Sequence, residues 1–480
     1  MTKLFSWLAS KKDSINRFAI PFFISYFLLI AAPYCFVLVP AINTFFTAIV
    51  SKLAFRLFTL LYFVIYAFLV GVANCSRIKW TWVIALAVLL ITFLIAWIVT
   101  PRTFTYSTID RDQAVTIVTI YVGDMDLLIS FGLFFAECLM FILSISFLPA
   151  VVTRKVVIWS LGAVAAFGAT VCLISYIKDF TFYFSFVTHG NPGTNGISSI
   201  FHHKNEFGIF IFLGCFSSLF LSCYLPSKKA IPFIVGSIQF IVTSLAIKCL
   251  TAEIPCLFLA LVFIFYLFGA LKKKSNALFL VLTCSFIGLI GVFLTCVFVP
   301  GIRDRFSAFG GIYNSIMSFS DEIASRTDVW NFIPSIMKGP ALFLGKTDAI
   351  ANQELLCYLS ATGILRVIDY HDAFISFLTS HGLIGLAVYL AIHADIVTKI
   401  LPIRTKNPRI FFVLIVLFLS AVFFSMPETY TLFINMSASV FPINLLFLVF
   451  LPYLSSEKGT EHSPFASQKD TVTEPGCIKA

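Results

Sequence analysis

Charge is what this chain has least of. Asp, Glu, Lys and Arg make up 12% of its 480 residues, hydrophobic residues make up 59%, and the mean hydropathy is +0.98. That leaves too little polar surface to cover a soluble domain, and the class is excluded. A disulfide framework is missing too. Most of the cysteines (Cys35, Cys138, Cys172, Cys215, Cys223, Cys256, Cys284 and Cys296) fall inside apolar runs, where they act as small apolar residues. No CxxC pair or Cys/His spacing suggests zinc, and no acidic cluster resembles a metal site. There is no repeat of long period and no inverted symmetry of the kind many transporters carry. No cleavable signal peptide is needed, because the first apolar run can start insertion.

What is present is a succession of apolar runs of ~20 residues, the length that crosses ~30 Å of hydrocarbon. Spans are expected at about Phe18–Pro40, Leu53–Cys75, Trp80–Thr100, Leu127–Val151, Val156–Ile177 and Glu206–Leu225. The second half adds Ile231–Ile247, Ala252–Leu271, Ala277–Pro300, Ala373–Ala394, Ile410–Met426 and Leu432–Tyr453. The expected fold class is an all-α polytopic membrane protein of about 12 transmembrane helices.

Such a chain has both termini on one side, and its charges agree. Arg77 and Lys79, Arg154 and Lys155, Lys228 and Lys229, Lys272 to Lys274, and Lys399, Arg404, Lys406 and Arg409 all fall in short loops on that side. With the termini they account for most of the 33 Lys and Arg, as the positive-inside rule requires of cytoplasmic loops. The net charge of +10 therefore reflects orientation, and nucleic acid is not an expected partner. The organisation follows: residues 1–17 a cytoplasmic lead, 18–300 spans one to nine, 301–371 a large outer cap, 372–453 the last three spans, and 454–480 a polar, disordered cytoplasmic tail. Pro101–Asp126 reads as an outer loop.

The cap is the longest polar stretch in the chain. A loop of this length is usually functional or disordered, and its apolar turns, such as Trp330 to Ile333 and Ala341 to Leu344, predict a folded one. Three outer constellations carry candidate chemistry. In Phe201-His202-His203-Lys204-Asn205-Glu206-Phe207-Gly208, two imidazoles, a cation and an amide stand at the N-terminus of a span, where free N–H groups and the helix dipole favour anions. The plainer account is a solvated helix start capped by Ser199 or Asn205. In Ser325-Arg326-Thr327-Asp328-Val329-Trp330, the Arg326 guanidinium has the fork geometry to grip a phosphate. In Tyr370-His371-Asp372, the His371 imidazole begins a span with an ordinary pKa near ~6.5, suited to a general base. His381, about three turns deeper, reads as a packing or hydrogen-bonding residue. Glu137, mid-span, is a functional candidate because an unpaired charge there is costly; it is either protonated or paired with a residue such as Lys52 or Arg56.

Taken in order, these motifs resemble those of the O-antigen ligase and polysaccharide polymerase superfamily of bacterial inner-membrane glycosyltransferases. Phe201 to Gly208 resembles a Phe-x-His-Lys-Asn-x-x-Gly signature. Ser325 to Trp330 resembles the Gly/Ser-Arg-x-x-x-Trp step of the large periplasmic loop. His371 with Gly382 and Gly385 resembles a His-Asn-x-x-Leu…Gly-x-x-Gly pattern, with Asp372 where Asn is usual. The resemblance spans roughly residues 197–386. It implies a GT-C-like fold with a periplasmic cap between spans 9 and 10. The donor would be an undecaprenyl-diphosphate-linked glycan, and the acceptor a sugar of lipid A–core or of a second lipid-linked repeat. Transfer would be metal-independent and need no cofactor. By the same likeness Arg326 and His371 are catalytic, and His203, Lys204, Asn205, Lys248, Trp330 and Asp372 bind substrate. Lys248 stands near where family members often carry a Ser-Arg pair, and offers a point charge without the fork. Ligase and polymerase share this donor chemistry; the Lys-Asn motif leans towards polymerase. The reading from another class is a transporter or flippase of a lipid-linked oligosaccharide, resting on Glu137 and the number of spans.

Overall fold

The computed structural model describes residues 7–35, 49–109, 115–181, 183, 197–201, 203–247, 252, 256, 259, 329–362, 370, 372–426, 430–435 and 437–456. Most of the predicted span Ala252–Leu271, all of Ala277–Pro300, cap residues 301–328 and 363–369, and the tail from 457 lie outside the described residues.

Helices dominate. Six described stretches are long and apolar enough to cross a membrane: Ala54–Ala73, Trp80–Val99, Asp124–Ser146, Arg154–Lys178, Lys204–Tyr224 and the run Ala373–Lys406. Ala19–Cys35, Ile410–Ser425 and Phe441–Ser455 are shorter apolar helices. The architecture is that of a multi-pass helical membrane protein. Lys204–Tyr224 sits at its centre, 89% buried over its most apolar window, whereas Trp80–Val99 is 28% buried and faces outward. Aromatic rings knit the centre, as where Phe212 stacks on Phe424 at 4.5 Å and Phe22 on Tyr66 at 3.9 Å.

The fold is not all helix. The segment read as an outer loop forms an antiparallel hairpin, Thr103–Ile109 paired with Val115–Tyr121. Both strands are rich in Thr, Val, Ile and Tyr, and their side chains alternate between faces. Phe104 and Tyr106 stand opposite Ile120 and Val118 and pack on the helix Asp348–Thr362 and its surroundings. Thr105 and Thr119, on the other face, bond through their hydroxyls at 3.0 Å. The Cys357 thiol donates to the Phe104 and Val118 carbonyls, which ties hairpin and cap together; burial pushes this thiol up from its ordinary pKa.

The described part of the cap folds on a core of its own, built from Val329, Phe332, Ile333, Leu355, Leu359 and Tyr370. Phe332 stacks on Tyr358 at 4.0 Å, and both meet Tyr106 edge-on. A buried ion pair, Lys346 Nζ to Glu354 at 2.6 Å, crosses this core with Lys346 over the Phe104 ring, and the Tyr106 hydroxyl donates to Glu354.

The last predicted span, Leu432–Tyr453, needs correcting. Helix begins only at Phe441, and residues 431–435 and 437–440 run as irregular backbone. Side chains do the work of a helical ladder there. The Asn444 amide oxygen accepts from Phe433 N at 2.8 Å, that of Asn435 accepts from Ser437 N at 2.7 Å, and the Tyr389 hydroxyl accepts from Leu432 N at 3.0 Å. Leu432, Phe433 and Ile434 are fully buried, the condition under which non-helical backbone is tolerated among membrane helices.

Candidate functional site

Two of the three constellations named from the sequence have described helix starts, one at Lys204 and one at Ala373. The helix Lys204–Tyr224 is capped by His203, whose Nδ1 accepts from Asn205 N at 3.2 Å; the cap is neither Ser199 nor Asn205, as the sequence had suggested. Phe201, two residues before this cap, stacks on Phe207 and Phe210 of the helix. Lys204, Asn205 and Glu206 make up the first turn, half-buried. Glu206 lies close enough to Tyr34 and Cys35 to act on them electrostatically, and the Arg56 guanidinium acts on Tyr34 with the opposite sign.

At the other site, Trp330 and Tyr370 join two of the motifs. Trp330 Nε1 donates to the Tyr370 carbonyl at 2.9 Å, and the buried Tyr370 hydroxyl donates to Ala351 O at 2.9 Å. Two residues on, Asp372 caps the helix Ala373–Ile400, its Oδ1 accepting from Phe374 N and Ile375 N at 2.8 and 2.9 Å. Burial raises the Asp372 carboxyl above the usual carboxylate range, against the pull of those two N–H groups. Asn caps a helix as well as Asp does, which gives the Asp-for-Asn departure a structural account. Arg326, His371 and Lys248 lie outside the described residues.

The cap is not a layer resting on helix ends. Its segment Pro340–Leu344 and Gly345 pack against Ala373–Ile400 and Trp80–Val99. Lys346 N and Thr347 N donate to the carbonyls of Thr379 and Ser380, both at 2.9 Å. His381 lies eight residues into its helix, so at 1.5 Å per residue this contact reaches ~12 Å below the helix start. The helix breaks there: Gly382 has φ 64° and ψ −169°. A Cβ on Gly382 would stand 2.3 Å from Phe343 O, and one on Gly345, also at positive φ, 2.3 Å from Ser380 O. Glycine is required at both places by conformation and by space.

Around this break lies a cavity of about 210 Å³. Glu137, Asp348, His381, Asn352, Ser376, Thr431 and Asn435 contribute its polar lining, with Phe134, Phe377 and Ile434. Glu137 feels the charges of both Asp348 and Arg56. The His381 ring stacks on Phe134 at 4.2 Å, packs on Phe377 at 4.5 Å, and is 2% exposed. Its Nδ1 is buried without a hydrogen-bond partner among the described residues. Glu137 and His381 were visible in the sequence as ionisable residues within spans; Asp348, Asn352, Thr431 and Asn435 carried no such signal, since cap and irregular segment bring them here. Among the described residues no group of three or more His, Cys, Asp or Glu is placed to hold a metal ion.

The chain matches no family model and no curated protein.

Proposed function

We propose that this chain is a membrane glycosyltransferase of the O-antigen ligase or polymerase type. It has about twelve spans, both termini in the cytoplasm, and the cap on the periplasmic face of a bacterial inner membrane. It transfers a glycan from an undecaprenyl-diphosphate-linked donor to an acceptor sugar hydroxyl. The observation that carries this reading is the Trp330–Tyr370 hydrogen bond. It ties the Trp that ends the Ser-Arg-x-x-x-Trp step to the residue before His371, which supports reading two motifs 40 residues apart as one site. A lipid diphosphate leaves with developing negative charge, which fixed cations stabilise in place of a metal. Arg326 suits that duty through its bidentate fork, and the first turn Lys204-Asn205 adds a cation at a helix N-terminus. His371, at the head of the next helix, takes the acceptor's proton as general base.

The test is a reconstituted assay with lipid-linked donor. His371→Ala is expected to cut turnover ~10²–10⁴-fold at unchanged abundance. Arg326→Lys is expected to be nearly as damaging as Arg326→Ala, because both lose the bidentate grip. Wild-type turnover in His371→Ala overturns the assignment.

The second reading is a transporter or flippase, favoured by the broken helix at Gly382 and by Glu137 in a polar cavity between helices. It predicts movement of labelled lipid-linked sugar across proteoliposomes with no new glycosidic bond.

A further inference from the structure

The cavity beside Gly382 has a lining of another kind from the cationic motifs assigned to the diphosphate above. Among the described residues its ionisable lining consists of two carboxyl groups, Glu137 and Asp348, and one imidazole, His381, with no described Lys or Arg. A diphosphate brought here would meet carboxyl groups and, among the described residues, no cation to offset its charge. The lining is instead what a polyhydroxylated ring requires. Carboxylates accept from hydroxyls, and the Asn352 and Asn435 amides both donate and accept. The hydroxyls of Ser376 and Thr431 fill in around them, and Phe134 and Phe377 add apolar surface for ring C–H groups. His381 adds an observation independent of the acids: this lining residue carries a buried ring nitrogen with no partner among the described residues. A buried polar atom left this way is costly unless something bonds it. The volume, about 210 Å³, is below the ~300–1,000 Å³ of drug-sized sites and suits one small ring.

The geometry points to a binding site for a single sugar ring, neutral or amino-substituted and not acidic, between Glu137, Asp348, Asn352 and His381. The inference rests on the reading that this chain handles glycans, and it assigns sugar and diphosphate to separate places: the sugar to the acidic cavity, the diphosphate to the cations of the outer motifs. Because the cap supplies Asp348 and Asn352 while membrane helices supply Glu137 and His381, a bound ring touches both, so binding strengthens the docking of cap on bundle.

Purified full-length protein in nanodiscs is titrated with glucose, glucosamine and glucuronate, and thermal unfolding is followed against equal concentrations of glycerol. Glucose or glucosamine is expected to stabilise saturably and glucuronate only as glycerol does. Glu137→Gln and Asn352→Ala are expected to raise the half-saturating concentration ~10-fold or more, the loss of one charged or amide hydrogen bond. A linear, unsaturating response to all three sugars overturns the proposal, as does saturable binding of equal strength in both variants or equal binding of glucuronate. The binding assay contains no lipid-linked donor, so its outcome is separable from that of the function. Saturable binding in a chain that shows no transfer upholds this site and overturns the transferase. Transfer with an unchanged acceptor KM in Glu137→Gln and Asn352→Ala does the reverse.

Discussion

Two interruptions of helix flank the same cavity, and they are held in different ways. At Gly382 the broken helix is met by backbone from another part of the chain: Lys346 N and Thr347 N bond the carbonyls of Thr379 and Ser380. At residues 431–435 and 437–440 the irregular stretch is met by side chains: Asn444, Asn435 and Tyr389 take the N–H groups of Phe433, Ser437 and Leu432. The first solution needs two backbones to come within contact distance, hence glycine at 345 and 382. The second tolerates bulk but needs particular polar groups. A membrane helix can therefore be opened by close approach or by amide capping, and each leaves its own mark in sequence, Gly-rich in one case and Asn-rich in the other.

The largest effect is expected from a methyl group at the first break. Gly382→Ala and Gly345→Ala each drive a Cβ to 2.3 Å from a backbone carbonyl oxygen, a clash that no rotamer relieves. Either is expected to undock the cap. Thermal unfolding in detergent and protease cutting near residue 339 report it; wild-type behaviour in both would show that the two segments do not touch.

Next comes the ion pair beside that contact. Lys346→Met leaves Glu354 buried and unpaired at the cost of ~3–5 kcal/mol, whereas Lys346→Met with Glu354→Leu removes both charges and is expected to recover most of the loss. A double variant no better than the single one breaks the argument that the pair is costly when split.

At the second break, Asn444→Leu keeps the bulk and removes the acceptor of Phe433 N. Leaving that buried N–H unsatisfied is expected to cost ~1–3 kcal/mol, less than the glycine variants, without freeing the cap. If Asn444→Leu also exposes the cap to protease, the two interruptions are one unit.

The smallest effect belongs to Asp372. Asp372→Ala removes a helix cap and is expected to cost ~1 kcal/mol, while Asp372→Asn costs almost nothing at neutral pH. The carboxyl is raised by burial, so its native form favours the proton. Its contribution is fully present below the ordinary Asp pKa and is lost as pH rises through the raised folded value. Asp372→Asn is therefore expected to flatten that part of the stability–pH curve, and an unaltered slope would exclude Asp372 as its source.

How far these features were legible varies with the range of the interactions behind them. The apolar runs marked the membrane helices because a span is an additive property of ~20 neighbouring residues and needs no partner to recognise it. Trp80–Val99 and the start of helix at Ala373 follow that rule. The hairpin was written in alternating Thr, Val, Ile and Tyr between Thr103 and Tyr121, a period-2 signal overlooked beside the stronger hydropathy signal. The last expected span starts its helix later than Leu432 for a related reason: Asn435 and Asn444 take the N–H groups of Ser437 and Phe433, and hydropathy does not register where an N–H donates. Glu137 announced itself by cost alone, since any carboxyl inside an apolar run must find relief.

What surrounds Glu137 was not readable in this way. Asp348 and Asn352 come from a polar segment more than 200 positions along the chain, Thr431 and Asn435 from an apolar one. They meet because the cap drops beside the helix at Gly382, and that descent depends on two glycines lying face to face, a pairing with no local signature. Composition and periodicity are sums over neighbours, and they settled that the chain crosses a membrane as helices. The acidic cavity is a coincidence of distant segments in space, and it exists through packing.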